Sequence, residues 1–460
     1  MKYLFPENFY WGGASSALQT EGSDTSRGKT TMDKFFEEAP TRFYNGMGPG
    51  KLSNFYENYA EDIALLKKAG LNSLRFSISW ARLIPGGRGE ADREAVEYYN
   101  RVIDEFEKNG IELFMNLHHF DLPIELQNEG GFESRDVVEA YVEYARTCFQ
   151  LFGKRIKKWC TFNEPIVTPE GGYLYDFHYP NVVDFKRAVQ VAYNMIIAHS
   201  KAVAEYRKLN LGGEIFTVLN ITPIYPRSSN EKDMKAAKIA DLIFVRSFLD
   251  PFVKGEFNEE LKEFLKDNGL MPETQPQDKE IVKNNIIDFL GLNYYQPRRV
   301  KAKEHIVNPD SVLLPESFFD YYDMQGKKMN TSRGWEIYPK AIYDMLMTMK
   351  NEYNNFRCFI AENGMGVQDE HKFRNKNGVI EDDYRIQFFK EHLSYVHKAI
   401  QEGSSCFGYH MWTPIDNWSM INEYKNRYGL IEFSIESGNR QLKKSGLWFN
   451  ELSKNNGFDD

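Results

Sequence analysis

Eight short apolar or β-branched runs, long amphipathic stretches between them, and no low-complexity linker anywhere predict an α/β chain folded as a single (β/α)8 TIM barrel with extended βα loops. Regular alternation of strand and helix requires parallel strands, and eight such units are the number that closes. At 460 residues the chain is long for one domain, but barrels of this kind often exceed the usual size, and no composition shift marks a boundary, so one domain over 1–460 is expected.

The strands are expected, in order, within NFYWGGASS, LNSLRFSISW, IELFMNLHHF, IKKWCTFNE, EIFTVLNITPIY, IIDFLGLNYY, RCFIAEN and CFGYHMWTPID. After the first strand comes NFYENYAEDIALLKKAG, where Phe55, Tyr59, Ile63, Leu66 and Ala69 recur at helical spacing and Gly70 ends the helix. DREAVEYYNRVIDEFEKNG, SRDVVEAYVEYARTCFQLFG and DFKRAVQVAYNMIIAHSKAVAEYRKL follow the next three strands with the same periodicity. Pattern fades over 300–335, which reads as an extended loop.

Composition narrows the function. Lys and Arg number 57 against 66 Asp and Glu, a net charge of −9 with no basic stripe, so nucleic acid is not an expected partner. No apolar run approaches the length of a membrane span, and the start MKYLFPENFYWGG does not read as a secretory signal, which points to a cytoplasmic protein. Cys148, Cys160, Cys358 and Cys406 are far apart with no metal-finger spacing, as expected for reduced, buried thiols. Aromatics at 15% suit a site that stacks sugar faces.

In such barrels the carboxyl ends of the strands carry the active site. Here most runs end in polar groups: Gln19 and Glu21 after strand one, His118, His119 and Asp121 after three, Asn163 and Glu164 after four. Strand six ends in Asn293, Tyr294 and Tyr295, strand seven in Glu362, and strand eight carries Trp412, Asp416 and Asn417. Alone, Glu164 reads equally well as a helix-start acid and Glu362 as a turn residue. Together, at the ends of strands four and seven, they read as one site. LHHFDLP invites a zinc site, but adjacent strand residues face opposite sides, so only His119 and Asp121 share a face and no metal is expected. Arg75 lies inside a strand, where a buried charge needs a carboxylate, and Glu362 is the natural partner.

Two carboxylates flanking an uncharged ring are the machinery of glycoside hydrolysis. A carboxylate held by Arg75 and tyrosine hydroxyls stays ionised, which suits Glu362 as nucleophile; Glu164, after an apolar run and beside a second carboxylate, is expected to keep its proton and serve as general acid, then base.

TFNEP, AENG, LRFSISW, HHFDLP, GLNYY, FYWGGASSALQTEG and RYGLI, in this order along nearly the whole chain, resemble glycoside hydrolase family one, the β-glucosidases and 6-phospho-β-glycosidases. The resemblance implies a retaining mechanism with Glu164 as acid/base and Glu362 as nucleophile. It also implies Arg75, Asn293 and Tyr295 around the nucleophile, and Gln19, His119, Asn163 and Trp412 as sugar-binding residues. No metal or organic cofactor is implied; the expected partner is a small-molecule glycoside, and no oligomeric state is assigned.

Plain β-glucosidases of that family read roughly W-S-L-L-D-N-F-E-W at strand eight, where this chain reads WTPIDNWSM, with Ser419 in place of the Glu and Met420 in place of the following Trp. That substitution favours a 6-phosphate: a carboxylate ~4 Å from it would cost roughly 1–4 kcal/mol for each pair of like charges. The phospho-enzymes usually carry Lys seven and Tyr nine positions after this Ser. Tyr428 matches, but Asn426 stands where the Lys belongs, so Lys425 or another cation must supply the charge. The chain most resembles the bacterial 6-phospho-β-glucosidase branch. The alternatives are a β-glucosidase or β-galactosidase acting on unphosphorylated sugars and, remotely, a non-catalytic sugar-binding barrel.

Overall fold

The computed structural model describes residues 2–22, 27–50 and 52–459. Eight parallel strands close into a barrel: β1 (Tyr10–Ala14), β2 (Ser73–Ser77), β3 (Glu112–His118), β4 (Lys158–Asn163), β5 (Glu214–Asn220), β6 (Phe289–Asn293), β7 (Cys358–Glu362) and β8 (Cys406–Trp412). They pair in chain order, and β8 returns to β1 with Tyr409 opposite Trp11 and Trp412 opposite Ala14. Each lies within its expected run. The fifth run is longer than its strand: it holds β5 and, beyond Pro223, the start of a separate strand, Ile224–Pro226.

The helices form where periodicity and end signals agree. In Arg93–Asn109 the Asp92 carboxylate accepts from Ala95 N at 2.8 Å, and Gly110, at φ 61°, ends the helix in the left-handed region that glycine tolerates. Between these ends Ala95, Tyr98, Tyr99, Val102, Ile103 and Phe106 form the buried stripe. Phe55–Lys68 stops before Gly70, as its spacing predicts.

Strand and helix faces build two cores. A small one inside the barrel contains Phe114, Cys160, Phe216, Val218, Phe289, Phe359 and Ala361; the larger one fills the shell between strands and helices. The inner plug fills the barrel below the carboxyl ends of the strands, the face on which barrels of this kind carry their active sites. All four cysteines are buried and free.

The segment 300–335 is not simply an extended loop. Arg298–Ala302 pairs antiparallel with Phe319–Tyr321 and parallel with Ile224–Pro226, and Met329–Asn330 pairs with Trp335–Glu336. Strands this short, separated by polar stretches, are too brief to show alternation in the sequence.

Candidate active site

The upper ends of β4 and β7 depart from regular register. Pairing shifts between Cys160 and Asn163 on the β5 side of β4, and between Ile360 and Glu362 on the β6 side of β7. In β4, Cys160 joins the inner core while Phe162 packs outward, stacked on Tyr141. Such irregularities re-aim the side chains that follow. Glu164, just beyond β4, has φ 46°, a left-handed conformation costing a non-glycine residue about 1–2 kcal/mol. It is held there by its own N–H, which donates to Val218 O at 2.9 Å, and by Val167 N, which donates to its carbonyl at 2.9 Å. Backbone strain pinned from both sides marks a side chain whose direction matters.

Glu362 ends β7 opposite Asn293 of β6. The residue is 4% exposed and its carboxylate holds two strong donors: Arg75 Nη2 ion-pairs with Oε1, and the Tyr295 hydroxyl donates to Oε2 at 2.6 Å. Across the pocket Asn293 Nδ2 donates to Glu164 Oε1 at 2.8 Å and to Asn163 Oδ1 at 3.3 Å. Asn293 is thus the hydrogen-bond donor that holds the Glu164 carboxylate, from the position paired with Glu362 across the sheet.

The partners divide the two acids. Burial and then the Glu362 charge raise the Glu164 pKa to about 8, against the Asn293 hydrogen bond and the more distant charge of Arg75. Burial also raises Glu362, against the pull of Arg75 and Tyr295. Arg75 and Tyr295 therefore do not keep Glu362 at an ordinary acidity, as expected from the sequence; the loss of water outweighs them. They do make it the acid that ionises first, because its charge lies against a guanidinium and that of Glu164 does not.

Around this pair the Trp412 ring stacks on His119 (5.8 Å between centroids, 23° between planes) and packs with Ala14 and Tyr428, next to Tyr295. His119 Nε2 lies 3.2 Å from Asn163 Nδ2, and burial followed by the Arg75 charge keeps its ring neutral. Gln19 accepts from Ser16 Oγ at 2.8 Å and donates to Trp418 O at 2.9 Å. Several buried polar atoms here lack a protein partner: Nε and Nη1 of Arg75, Oδ1 of Asn293, and both amide atoms of Asn417. Buried polar groups are normally satisfied, so these are the groups a polyhydroxylated ligand would meet.

Other expected pocket residues serve the scaffold. Glu21 pairs with Arg82 at 2.7 Å and accepts from Tyr99. Asp416 pairs with Lys443 at 2.9 Å and accepts from Gly429 N. Asp121 accepts from the backbone of His119 and Trp80. His118 turns away from His119 and packs on Phe132 and Phe162, as strand alternation predicts.

The phosphate candidates are only partly gathered. Tyr428 is 3% exposed, against Trp412. Asn426 Nδ2 donates to Ser332 O at 3.2 Å, while the Lys425 ammonium sits 5.0 Å from the centre of the Tyr44 ring, in a cleft that Gln368, Asp369 and Arg427 also line. Ser419 N donates to Glu423 O at 2.8 Å in the same loop. The sequence missed Arg333, whose Nε donates to the Tyr428 hydroxyl at 3.2 Å. Nothing local could have signalled it, since the two are 95 positions apart.

The profile described as Glycosyl hydrolase family 1 matches residues 1–458. The chain is 55% identical, over 99% of both chains, to the 6-phospho-beta-glucosidase GmuD of Bacillus subtilis. It is 33% identical to beta-glucosidase A of Acetivibrio thermocellus over 99% of this chain and 100% of that one. The family 1 β-glucosidase structure from Thermotoga maritima superposes with a TM-score of 0.91 at 34% identity, over 100% of both chains.

Proposed function

The chain belongs to glycosyl hydrolase family 1, and from that premise we propose that it hydrolyses 6-phospho-β-D-glucosides with retention, Glu362 acting as nucleophile and Glu164 as acid and then base. The observation that carries the assignment of roles is the unequal company of two buried acids: Arg75 and Tyr295 on Glu362, and Asn293 on Glu164.

Glu362 attacks the anomeric carbon while the glycosidic C–O bond breaks and the Glu164 proton passes to the leaving oxygen. Forming the ester removes the Glu362 charge. The repulsion that kept Glu164 protonated goes with it, so Glu164 becomes the base that the second step requires. Water then attacks the same carbon, gives its proton to Glu164 and releases Glu362. Trp412, His119, Asn163 and Gln19 bind the sugar, with Trp412 beneath the ring.

A phosphorylated substrate is supported by the similarity to a protein named 6-phospho-beta-glucosidase and by Ser419, a small neutral group where a carboxylate would repel a phosphate. A cytoplasmic site of action accords with such substrates, which arise where sugars are phosphorylated on entry, and with four buried free thiols. The second reading, a glucosidase of unphosphorylated sugars, is favoured by Asn426 in place of a lysine and by the 33% identical beta-glucosidase A. Turnover of an aryl 6-phospho-β-glucoside against the plain aryl β-glucoside separates them. The phosphorylated substrate is expected to give the higher kcat/KM, and the reverse order selects the second reading.

A further inference from the structure

We propose that Arg333 is the cation that recognises the phosphate of the substrate, and that Asn426 holds the turn that presents it. The inference rests on the phosphorylated-substrate reading above and adds a residue to it.

Arg333 lies in the turn between Met329–Asn330 and Trp335–Glu336, within the stretch whose sequence shows no pattern. Its guanidinium carbon stands 4.3 Å from the centre of the Trp335 ring, and its Nε donates to Tyr428. Both contacts lead back to the acids. Trp335 lies 5.4 Å from the Tyr295 ring, whose hydroxyl holds Glu362, while Tyr428 packs against Trp412. Arg333 is therefore one side chain removed from Tyr295 on one side and from Trp412 on the other.

Its charge is uncommitted. Neighbouring Arg299 and Arg298 are tied to Glu336 and Glu170, both at 2.7–2.8 Å, but among the described residues no carboxylate pairs with Arg333. The hydrogen bonds of the described residues use only its Nε, so Nη1 and Nη2 remain to face a ligand. A guanidinium with a free edge offers the forked pair of donors that phosphate oxygens accept, and the Tyr428 and Trp335 contacts hold that fork in one orientation before substrate arrives.

Asn426 explains the missing lysine. It is 2% exposed, and its amide fixes the carbonyl of Ser332, the residue before Arg333. A neutral donor there anchors the turn without repelling the guanidinium, and Lys425, lying over Tyr44, does not take over the role. The positive charge is thus supplied from the 330–334 turn rather than from the loop after β8.

The test compares wild-type enzyme with R333M and R333K, measuring kcat/KM on an aryl 6-phospho-β-glucoside and on the plain aryl β-glucoside. Because both substrates report on the same active fraction, their ratio is insensitive to partial misfolding. Loss of a charge-assisted fork is expected to lower the ratio roughly 10- to 100-fold in R333M, chiefly through KM, with R333K retaining part of it. Inhibition by inorganic phosphate should weaken in the same order. A wild-type preference for the phosphorylated substrate that survives in R333M to within about threefold overturns the role of Arg333 and leaves the substrate reading standing. A wild-type enzyme that prefers the plain glucoside overturns the substrate reading, and this inference with it.

Discussion

Tyr295 donates its hydroxyl to Glu362 Oε2 at 2.6 Å, on the oxygen that Arg75 leaves free, so both oxygens of one buried carboxylate are occupied by donors. The carboxylate is thereby fixed in orientation, and the two donors offset part of the cost of burying its charge. Removing that donor should raise the pKa of Glu362, because a hydrogen bond to the charged form always lowers it. Tyr295→Phe is expected to lower kcat about 10- to 100-fold and to shift the acidic limb of the kcat/KM profile to higher pH. An unshifted acidic limb would separate Tyr295 from the nucleophile.

The proton on Glu164 sets the basic limb. With a pKa raised to about 8 by burial and by Glu362, it is protonated at neutral pH, and kcat/KM should fall as pH rises through that value. In Glu164→Gln the basic limb should vanish along with most activity on unactivated substrates. A pH–rate series on both proteins checks this.

The same shift should appear in stability. Between the ordinary 4.5 and about 8, the folded chain holds a proton that the unfolded chain has released, so Glu164 costs stability progressively as pH rises across that window. Glu164→Gln removes the cost and should stabilise the protein by roughly 1–3 kcal/mol near pH 7.5, with the gain fading toward pH 4.5. Thermal melts at the two ends of the window read this directly.

Leaving groups distinguish a proton donor from a structural acid. Glu164→Ala should slow aryl glycosides with poor leaving groups far more than those whose phenols depart unaided. Equal slowing across the series would remove Glu164 from proton transfer.

Ser419→Glu should penalise phosphorylated substrates selectively, by roughly 10- to 100-fold in kcat/KM, since a carboxylate ~4 Å from a phosphate costs about 1–4 kcal/mol per charge pair. Parallel assays on phosphorylated and plain substrates provide the comparison, and equal loss on both would move the phosphate elsewhere.

The sequence displays the barrel well because its signals are local: strand runs end in polar groups, and helices carry their own periodicity and stops, as Asp92 and Gly110 illustrate. Glu164 and Glu362 are legible for the same reason, standing where two strands finish. The choice of which polar ends enter the pocket is less visible. Glu21 and Asp416 look equivalent to Glu362 along the chain, yet each meets a buried cation, Arg82 and Lys443, that only the folded chain brings near. Arg333 is the converse case, a charge in a featureless stretch that gains meaning from Tyr428, a residue of another loop. Long-range pairing of charges and very short strands leave no periodic trace, and it is there that reading from sequence falls short.

Hydrolysis with retention requires Glu362 to bond to the sugar. Incubation with a 2-deoxy-2-fluoro glycoside bearing a good leaving group slows breakdown of that ester enough to locate it by peptide mass spectrometry. The expected result is one sugar per chain, attached to the peptide containing Glu362 and absent from Glu362→Ala. A sugar attached to Glu164, or rapid turnover with no labelled peptide at all, would contradict the assignment.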